Sequence, residues 1–421
     1  MAVSTWRALA LACAAPLMGV PAPAASQTLT LASAIEQTLA SNPELRVYRP
    51  RLDANRARAA QAALKPPLEF QSEVQDAFGT GRASGFDIAE TTFALSQVIE
   101  LGGKRERRTD AAVASTALIE AERAASELDV LAEVTRRFIH VASDQEQLAL
   151  TLRATALADD NVTATAARVD AARAPDVELR RARVTRARVG VEQEHAEHEL
   201  LTSRRKLAAM WGDTEAHFDR VGADLYALPP SEGYEALVAK LAANPDFARF
   251  ASEERLRDAE LRVAEAHART DLTWRGGLRF LSETNDAALV FGVTMPLNAS
   301  RRARNDIAVA RAEREQTTAE RDAHRVRAEA ELFELFQELR HAITEADMLR
   351  STVLPEIEAA LDATRYAYDR GRYSYLEWVD AQRELVDVQR ALIDASTNAH
   401  LYRTEIERLT DEPLSGEEDS P

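Results

Sequence analysis

The chain has 421 residues, of which 29% are charged and 6% aromatic, and its formal net charge is -17. That length allows two or three domains, the scarcity of aromatics suits extended helices better than one thick core, and the acidity argues against nucleic acid, which attracts basic surfaces. Such a charge balance is compatible with meeting or conducting cations and equally with plain solubility.

The first 25 residues read as a secretory signal. Arg7 gives the positive end, Ala8 to Val20 the apolar core, and Ala22-Pro23-Ala24 a small-residue cleavage pattern, so the mature chain is expected to start near Ala25 or Ser26. The only cysteine, Cys13, lies inside this segment, which leaves the mature chain without a thiol, a disulfide or a cysteine metal site. Cleavage before Cys13, as in a lipoprotein, is the alternative; the short apolar run and Ala10 three positions earlier argue against it. No later run of about 18 apolar residues exists, so no membrane-spanning helix is expected. A membrane crossing would require strands of a closed barrel.

A first repeat is expected over 26–211. Asn42-Pro43 reads as a helix start, with Asn as the cap and Pro in the first turn, ahead of a helix over about 45–65. Leu68 to Gln75 alternates apolar and polar, which predicts a strand over about 68–76, with a partner over about 90–99. A very long helix follows over about 104–172. It contains no Gly or Pro and is rich in Ala, Arg, Glu and Leu. At about 1.5 Å per residue it would extend on the order of 100 Å. Val134, Phe138, Val141, Gln145, Leu148 and Leu152 alternate four and three apart, a coiled-coil seam. After a tight turn the chain returns in a helix over about 176–211. A linker is expected over 212–230.

A second repeat, over 231–410, rewrites the first at a spacing near 200 residues. Asn244-Pro245 repeats Asn42-Pro43; Leu332, Phe336 and Leu339 repeat Val134, Phe138 and Val141; Tyr368 to Arg372 repeats Val169 to Arg173. Strands are expected over about 272–280 and 287–296, a long helix over about 301–369 and a return helix over about 375–410. Pro355 should bend this long helix or mark a joint. The acidic end, 411–421, reads as a disordered tail. A single chain offers four strands, too few to close a barrel, and open edges are not tolerated in lipid, so a membrane role would require shared closure between subunits.

Little else in the chain suggests chemistry. His195 and His198, three apart within Glu194 to Glu199, are weak metal-ligand candidates and lack the zinc-protease spacing. There is no Gly-rich phosphate loop, no Gly-x-Ser-x-Gly and no cysteine nucleophile, so neither an enzyme nor a cofactor is expected.

Two strand pairs interrupting two helical halves of a duplicated, exported chain resemble the TolC family of outer-membrane efflux ducts, from about Leu29 to Leu409. Leu95 to Arg105 is similar to the family's strand-to-helix passage, and its Glu100-Leu101-Gly102-Gly103-Lys104-Arg105 ending resembles the CzcC-like heavy-metal branch. Tyr368 to Glu377 resembles the helix-turn-helix at the periplasmic tip; the first copy, Ala172 to Val177, lacks the Gly and would use Pro175 as a first-turn residue.

The resemblance implies a mainly α protomer with a small transmembrane β part. Three copies would form a homotrimer with a twelve-stranded outer-membrane β-barrel continuing into a periplasmic α-barrel. It further implies a passive duct in the outer membrane of a Gram-negative bacterium, meeting outer-membrane lipid, a periplasmic adaptor (membrane fusion) protein and an inner-membrane RND pump. Adaptor contacts would fall at the tips, Ala174, Pro175, Asp176, Gly371, Arg372, Tyr373, Ser374 and Tyr375. Glu377 and Asp380 match the acidic residues that narrow the entrance, and by threefold repetition would form carboxylate rings; the alternative is an acidic face paired with Arg372 or Arg383. Tyr373 and Tyr375 could equally pack the turn of their own hairpin. The cargo expected is divalent heavy-metal cations. A duct for organic compounds or type I protein secretion is the alternative within transport, and a soluble periplasmic coiled-coil adaptor or scaffold the alternative outside it.

Overall fold

A computed structural model describes residues 28–411 apart from Ser231. The expected signal segment with Cys13, and the tail beyond Asp411, lie outside the described residues. The elements run β1 (Thr28–Leu29), α1 (Leu31–Ser41), α2 (Tyr48–Ala62), β2 (Leu68–Gln75), β3 (Glu90–Ile99), α3 (Lys104–Asp170), α4 (Asp176–Ala208), β4 (Arg220–Val221), α5 (Tyr234–Leu241), α6 (Pro245–His267), β5 (Leu272–Leu281), β6 (Asp286–Thr294), α7 (Ala299–Met348), α8 (Leu354–Asp369) and α9 (Tyr375–Thr410).

The 67-residue α3 is continuous. Val134, Phe138 and Val141 on its seam are buried among Ala34, Leu207, Met210 and Val221. Leu332, Phe336 and Leu339 of α7 are buried likewise among Leu237, Ile406 and Leu409. Each such side chain contributes about 1.5–3 kcal/mol when fully buried. Leu152, expected on the seam, is 48% exposed, and Leu150 is buried in its place. A straight helix at 3.6 residues per turn drifts off a strict seven-residue seam, which accounts for the shift. Helices α2 and α4 pack along α3, and α6 and α9 along α7; α6 and α9 also pack on α3 and so join the halves.

The two Asn-Pro pairs do more than cap. The Asn244 side chain accepts from the Asp246 amide at 2.7 Å at the start of α6 and donates to the carbonyls of Arg408 and Leu409 at 2.8 and 3.0 Å. Asn42 ends α1, accepts from the amides of Glu44 and Leu45 at 2.9 and 3.1 Å, and donates to the Met210 carbonyl at 2.9 Å. Both are buried. Each ties the opening of its half to the end of its own return helix, satisfying carbonyls that a helix end leaves without partners. After Asn42 the chain makes a short 3-10 turn, Leu45–Val47, before α2 begins.

The second long helix, expected as one element over 301–369, is three. A five-residue π-helical segment, Leu349–Val353, separates α7 from α8, and Pro355 sits in the first turn of α8. Proline has no N–H to donate, and its ring crowds the carbonyl four residues earlier.

The four long strands form one antiparallel sheet in the order β2-β3-β5-β6. The two hairpins are joined through β3 and β5, from Glu90 opposite Leu281 to Ile99 opposite Leu272. Gly277 makes this junction possible: a Cβ there would lie 2.3 Å from the Phe93 carbonyl oxygen. Strand alternation and register sort the sheet into two faces. One carries Leu68, Phe70, Val74, Phe93, Leu95, Trp274, Leu278, Phe280, Leu289, Phe291 and Val293. The other carries Glu69, Gln71, Glu73, Glu90, Thr92, Ser96, Arg275 and Arg279, with ion pairs from Arg275 to Glu73 and from Arg279 to Glu90. The apolar face is open: Phe291 is 79% exposed, Leu289 70% and Phe70 67%. Strands β2 and β6 are free edges within the protomer. No helix among the described residues is long and apolar enough to cross a membrane.

Candidate functional site at the sheet–helix joint and the helical tips

Two places carry the sequence motifs. The first is the passage from β3 into α3, where every residue from Glu100 to Lys104 has an assigned task. Gly102 and Gly103 both have positive φ, +76° and +71°. These are backbone conformations that side chains with a Cβ avoid. Lys104 Nζ lies 2.7 Å from the Asp271 carboxylate, whose other oxygen accepts the Leu101 amide at 3.1 Å. Arg108 makes a two-pronged pair with Glu100, one bond at 3.1 Å and one shorter. Asp271 stands just before β5, so the joint clamps the exit of the first hairpin to the start of the second. The equivalent passage into α7 uses Asn298 at φ 72°, ψ 26° where the first uses Gly103 at φ 71°, ψ 21°. Asn is the side chain that tolerates this region best. Glu100 and Lys104 are thus committed to Arg108 and Asp271, which makes the motif an architectural joint.

The second place is the pair of tips. Both long helices end in the same hydrogen-bonded turn. At the first, Arg173 N–H reaches the Arg168 carbonyl at 2.8 Å and Ala172 N–H the Val169 carbonyl at 2.9 Å; at the second, Arg372 reaches Ala367 and Gly371 reaches Tyr368, each at 2.9 Å. This is the Schellman arrangement, with a left-handed residue just past the helix. Gly371 holds that position at φ 71° in the second tip, and Ala172 holds it at φ 55° in the first. The expectation for Pro175 is corrected accordingly. Pro175 is the residue before α4 and not its first turn, and the turn itself depends on an alanine in a strained conformation.

Past the second tip, Ser374 and Glu377 form a reciprocal capping box. The Glu377 carboxylate accepts the Ser374 amide at 2.7 Å and its hydroxyl at 2.8 Å. These bonds, the amide's first, hold the Glu377 carboxyl below the usual glutamate range. Asp380 is exposed and, among the described residues, makes no ion pair with Arg372 or Arg383, nor does Glu377. It lines a cleft of roughly 360 Å³ between α3, α4 and α9, with Asn161, Arg188, Gln382 and Arg383. One of the two acidic residues is therefore occupied in capping and the other is free.

Pro175, Asp176, Gly371, Arg372, Tyr373 and Ser374 are exposed, and Ala174 is half-buried. Tyr375 differs: it is 3% exposed and packs inward on Tyr368, Trp378 and Ala182. Its ring fills the hairpin turn and is not offered to a partner. Tyr368 stacks on Trp378 with centroids 4.8 Å apart. The Arg168 guanidinium lies 4.1 Å from the Tyr368 ring centre, and its Nη1 donates to the Tyr368 carbonyl at 2.9 Å. Arg168, Tyr368 and Trp378 thus tie the two tips together, a role not read from the sequence. The only signal for it was aromatics grouped on both sides of one turn.

His195 and His198 are both exposed on α4. Among the described residues no group of three or more His, Cys, Asp or Glu side chains could hold a metal ion.

Residues 34–213 and 237–410 each match the model of the outer membrane efflux protein family. The chain belongs to that family. The match falls on the two halves separately, with the linker between them. Among relatives, the efflux protein is 29% identical over 344 residues to "Cobalt-zinc-cadmium resistance protein CzcC" of Cupriavidus metallidurans, covering 82% of this chain and 81% of that one. Its fold matches a crystal structure of a membrane protein from Pseudomonas aeruginosa with a TM-score of 0.77 at 20% identity, covering 90% of this chain and 92% of the other. It also matches the outer-membrane channel OprN with a TM-score of 0.76 at 18% identity, covering 91% and 90%. The fold is that of the TolC-like channels.

Proposed function

We propose that this outer membrane efflux protein is the duct of a tripartite RND-type system that passes divalent heavy-metal cations from the periplasm to the exterior. The observation that carries the reading is the four-stranded sheet with one largely apolar, exposed face and two free edges, in a chain of this family. Large exposed apolar patches need cover, and edges in lipid must be paired. Lipid covers the face, and copies of the chain pair the edges. Three copies supply about twelve strands, within the range of outer-membrane barrels. Val177, Val184 and Val191 support the same assembly: they recur every seven residues on the outer helix α4 and are 51%, 61% and 66% exposed. That spacing is a seam waiting for another helix.

On this reading residues 1–25 are the export signal, 26–211 and 231–410 the two repeats, and 212–230 the linker. The tips project into the periplasm. Ala174, Pro175, Asp176 and Gly371 to Ser374 offer the surface for an adaptor protein, and Asp380 of each copy contributes a carboxylate near the entrance. The choice of cargo is supported by the cobalt-zinc-cadmium relative together with the Glu100 to Arg105 motif. Cells lacking the gene, plated on graded zinc, cobalt, cadmium and copper, should lose tolerance to at least one. Unchanged tolerance to all four removes the cargo. Recovery of the protein only in the soluble periplasmic fraction removes the duct.

A further inference from the structure

We propose that the passages between helices and strands, at the helical end of the sheet, form a basic collar that binds the phosphates of anionic phospholipids in the periplasmic leaflet of the outer membrane. The proposal rests on the duct reading and adds to it the class of lipid that the protein selects.

Four passages connect the sheet to its helices, and each carries at least one exposed cation. Lys65 lies between α2 and β2, Arg105 at the start of α3, Arg269 between α6 and β5, and Arg301, Arg302 and Arg304 at the start of α7. None of the six makes an ion pair among the described residues, whereas their neighbours Lys104, Arg107 and Arg108 are paired with Asp271, Asp110 and Glu100. The far end of the sheet has the opposite sign. Its two hairpin loops expose Asp76, Asp87 and Glu283, Asp286 opens β6, and the one cation in these loops, Arg82, is paired with Glu283. A chain with a net charge of -17 thus gathers unpaired cations at one end of its sheet.

The collar borders the apolar face. The apolar stripe of β6 continues at the same alternation through Met295 to Leu297, and that of β3 through Ile99 to Leu101, all four exposed. In both repeats an exposed arginine follows the last leucine by four residues, Arg105 after Leu101 and Arg301 after Leu297. Four residues at helical rise cover about 6 Å, close to a headgroup layer of about 5–8 Å. Acyl chains therefore meet the leucines while phosphates meet the guanidiniums, whose paired N–H donors match phosphate oxygens. The start of a helix disfavours cations, and α7 has no acidic residue in its first turn. A phosphate from outside offsets that repulsion. The acidic loops at the other end of the sheet repel the same headgroups, which fixes the leaflet.

The test titrates the assembled protein, purified in detergent, with phosphatidylglycerol or with phosphatidylcholine and counts bound lipid by native mass spectrometry. The native protein should prefer phosphatidylglycerol, and the preference should fall as salt is raised. Arg105→Gln, Arg301→Gln, Arg302→Gln and Arg304→Gln combined should weaken it by roughly tenfold or more, each cation near a charged surface being worth about fivefold. Lysine at the same four positions should retain most of it, and Arg82→Gln, at the other end of the sheet, all of it. Equal binding of the two lipids by the native protein, or an unchanged preference in the glutamine variant, overturns the collar. Folded monomers of that variant in the presence of phosphatidylglycerol mean that the arginines join copies of the chain, which also overturns it. If the glutamine variant does not fold, the native protein decides: a preference unaltered by salt overturns the collar. A preference for lipopolysaccharide over phosphatidylglycerol overturns the choice of leaflet. Currents in planar bilayers separate the two readings. Native currents without lipid preference keep the duct and overturn the collar, and a lipid preference without any current keeps the lipid site and overturns the duct.

Discussion

At the scale of single residues, the two tips run the same turn with different side chains, and the difference is measurable. Left-handed backbone costs a residue with a Cβ on the order of 1–2 kcal/mol. Ala172→Gly should therefore stabilise the first tip by about 1 kcal/mol, and Gly371→Ala should destabilise the second by a similar amount, read as shifts in denaturant midpoint. The sequence signals a turn at 171–175 but not the residue that strains, because alanine is not the usual occupant of that position. Glu377 and Asp380 also separate at this scale. Glu377 serves the capping box, so Ser374→Ala should cost about 1 kcal/mol. The lowered pKa of Glu377 fixes the sign of the pH effect: its contribution is complete above the ordinary glutamate value and is lost as pH falls below it through the folded value. Acid should loosen the second tip, and Glu377→Gln should abolish that sensitivity, as seen in proteolysis at the turn. Asp380 is the free carboxylate, so in the proposed duct Asp380→Asn should weaken cation preference, measured as a reversal potential, more than Glu377→Gln does.

At the scale of elements, the joint between β3 and α3 is a charge pair with its lysine buried and its aspartate half-buried. Lys104 is 8% exposed by side chain and Asp271 29%. Removing one partner of such a pair costs about 3 kcal/mol or more, whereas replacing both with apolar groups is often near neutral. Asp271→Asn should therefore lower the unfolding midpoint sharply, and Lys104→Met with Asp271→Leu should restore most of it. No such recovery would mean that the Leu101 amide bond to Asp271 matters more than the charge. The strands themselves were legible, because Leu68 to Gln75 and Leu272 to Phe280 carry period-two alternation in plain sight. The pairing of β3 with β5 was not, since partners such as Phe93 and Leu278 lie far apart in the chain and leave no local pattern. The long helices were legible from composition. The break in the second was marked by Pro355, but its π form was not, because a proline announces a break without specifying the bonding around it.

At the scale of the whole molecule, the protomer is visibly unfinished. Its sheet has an apolar face with nothing upon it and two edges with backbone groups to spare, and its α4 carries a valine stripe without a partner. The alternative of a soluble scaffold makes the opposite forecast for the same side chain. Phe291 is 79% exposed in the protomer, so Phe291→Lys should be harmless in water. Near the middle of a bilayer it should cost about 2–4 kcal/mol, seen as loss of the protein from the outer-membrane fraction with the helical content retained. The alternating strands and the twofold repetition pointed to this architecture, but they could not say how the edges close, because in the proposed duct closure depends on other copies. Shared closure also has a genetic consequence. With the three protomers per ring of the proposed duct, and random mixing of equal amounts of sound and faulty subunits, only about one assembly in eight is free of faulty subunits. An allele that blocks a single tip should therefore act as a dominant poison, whereas one that prevents the strands from pairing should drop out of the rings and behave as a recessive.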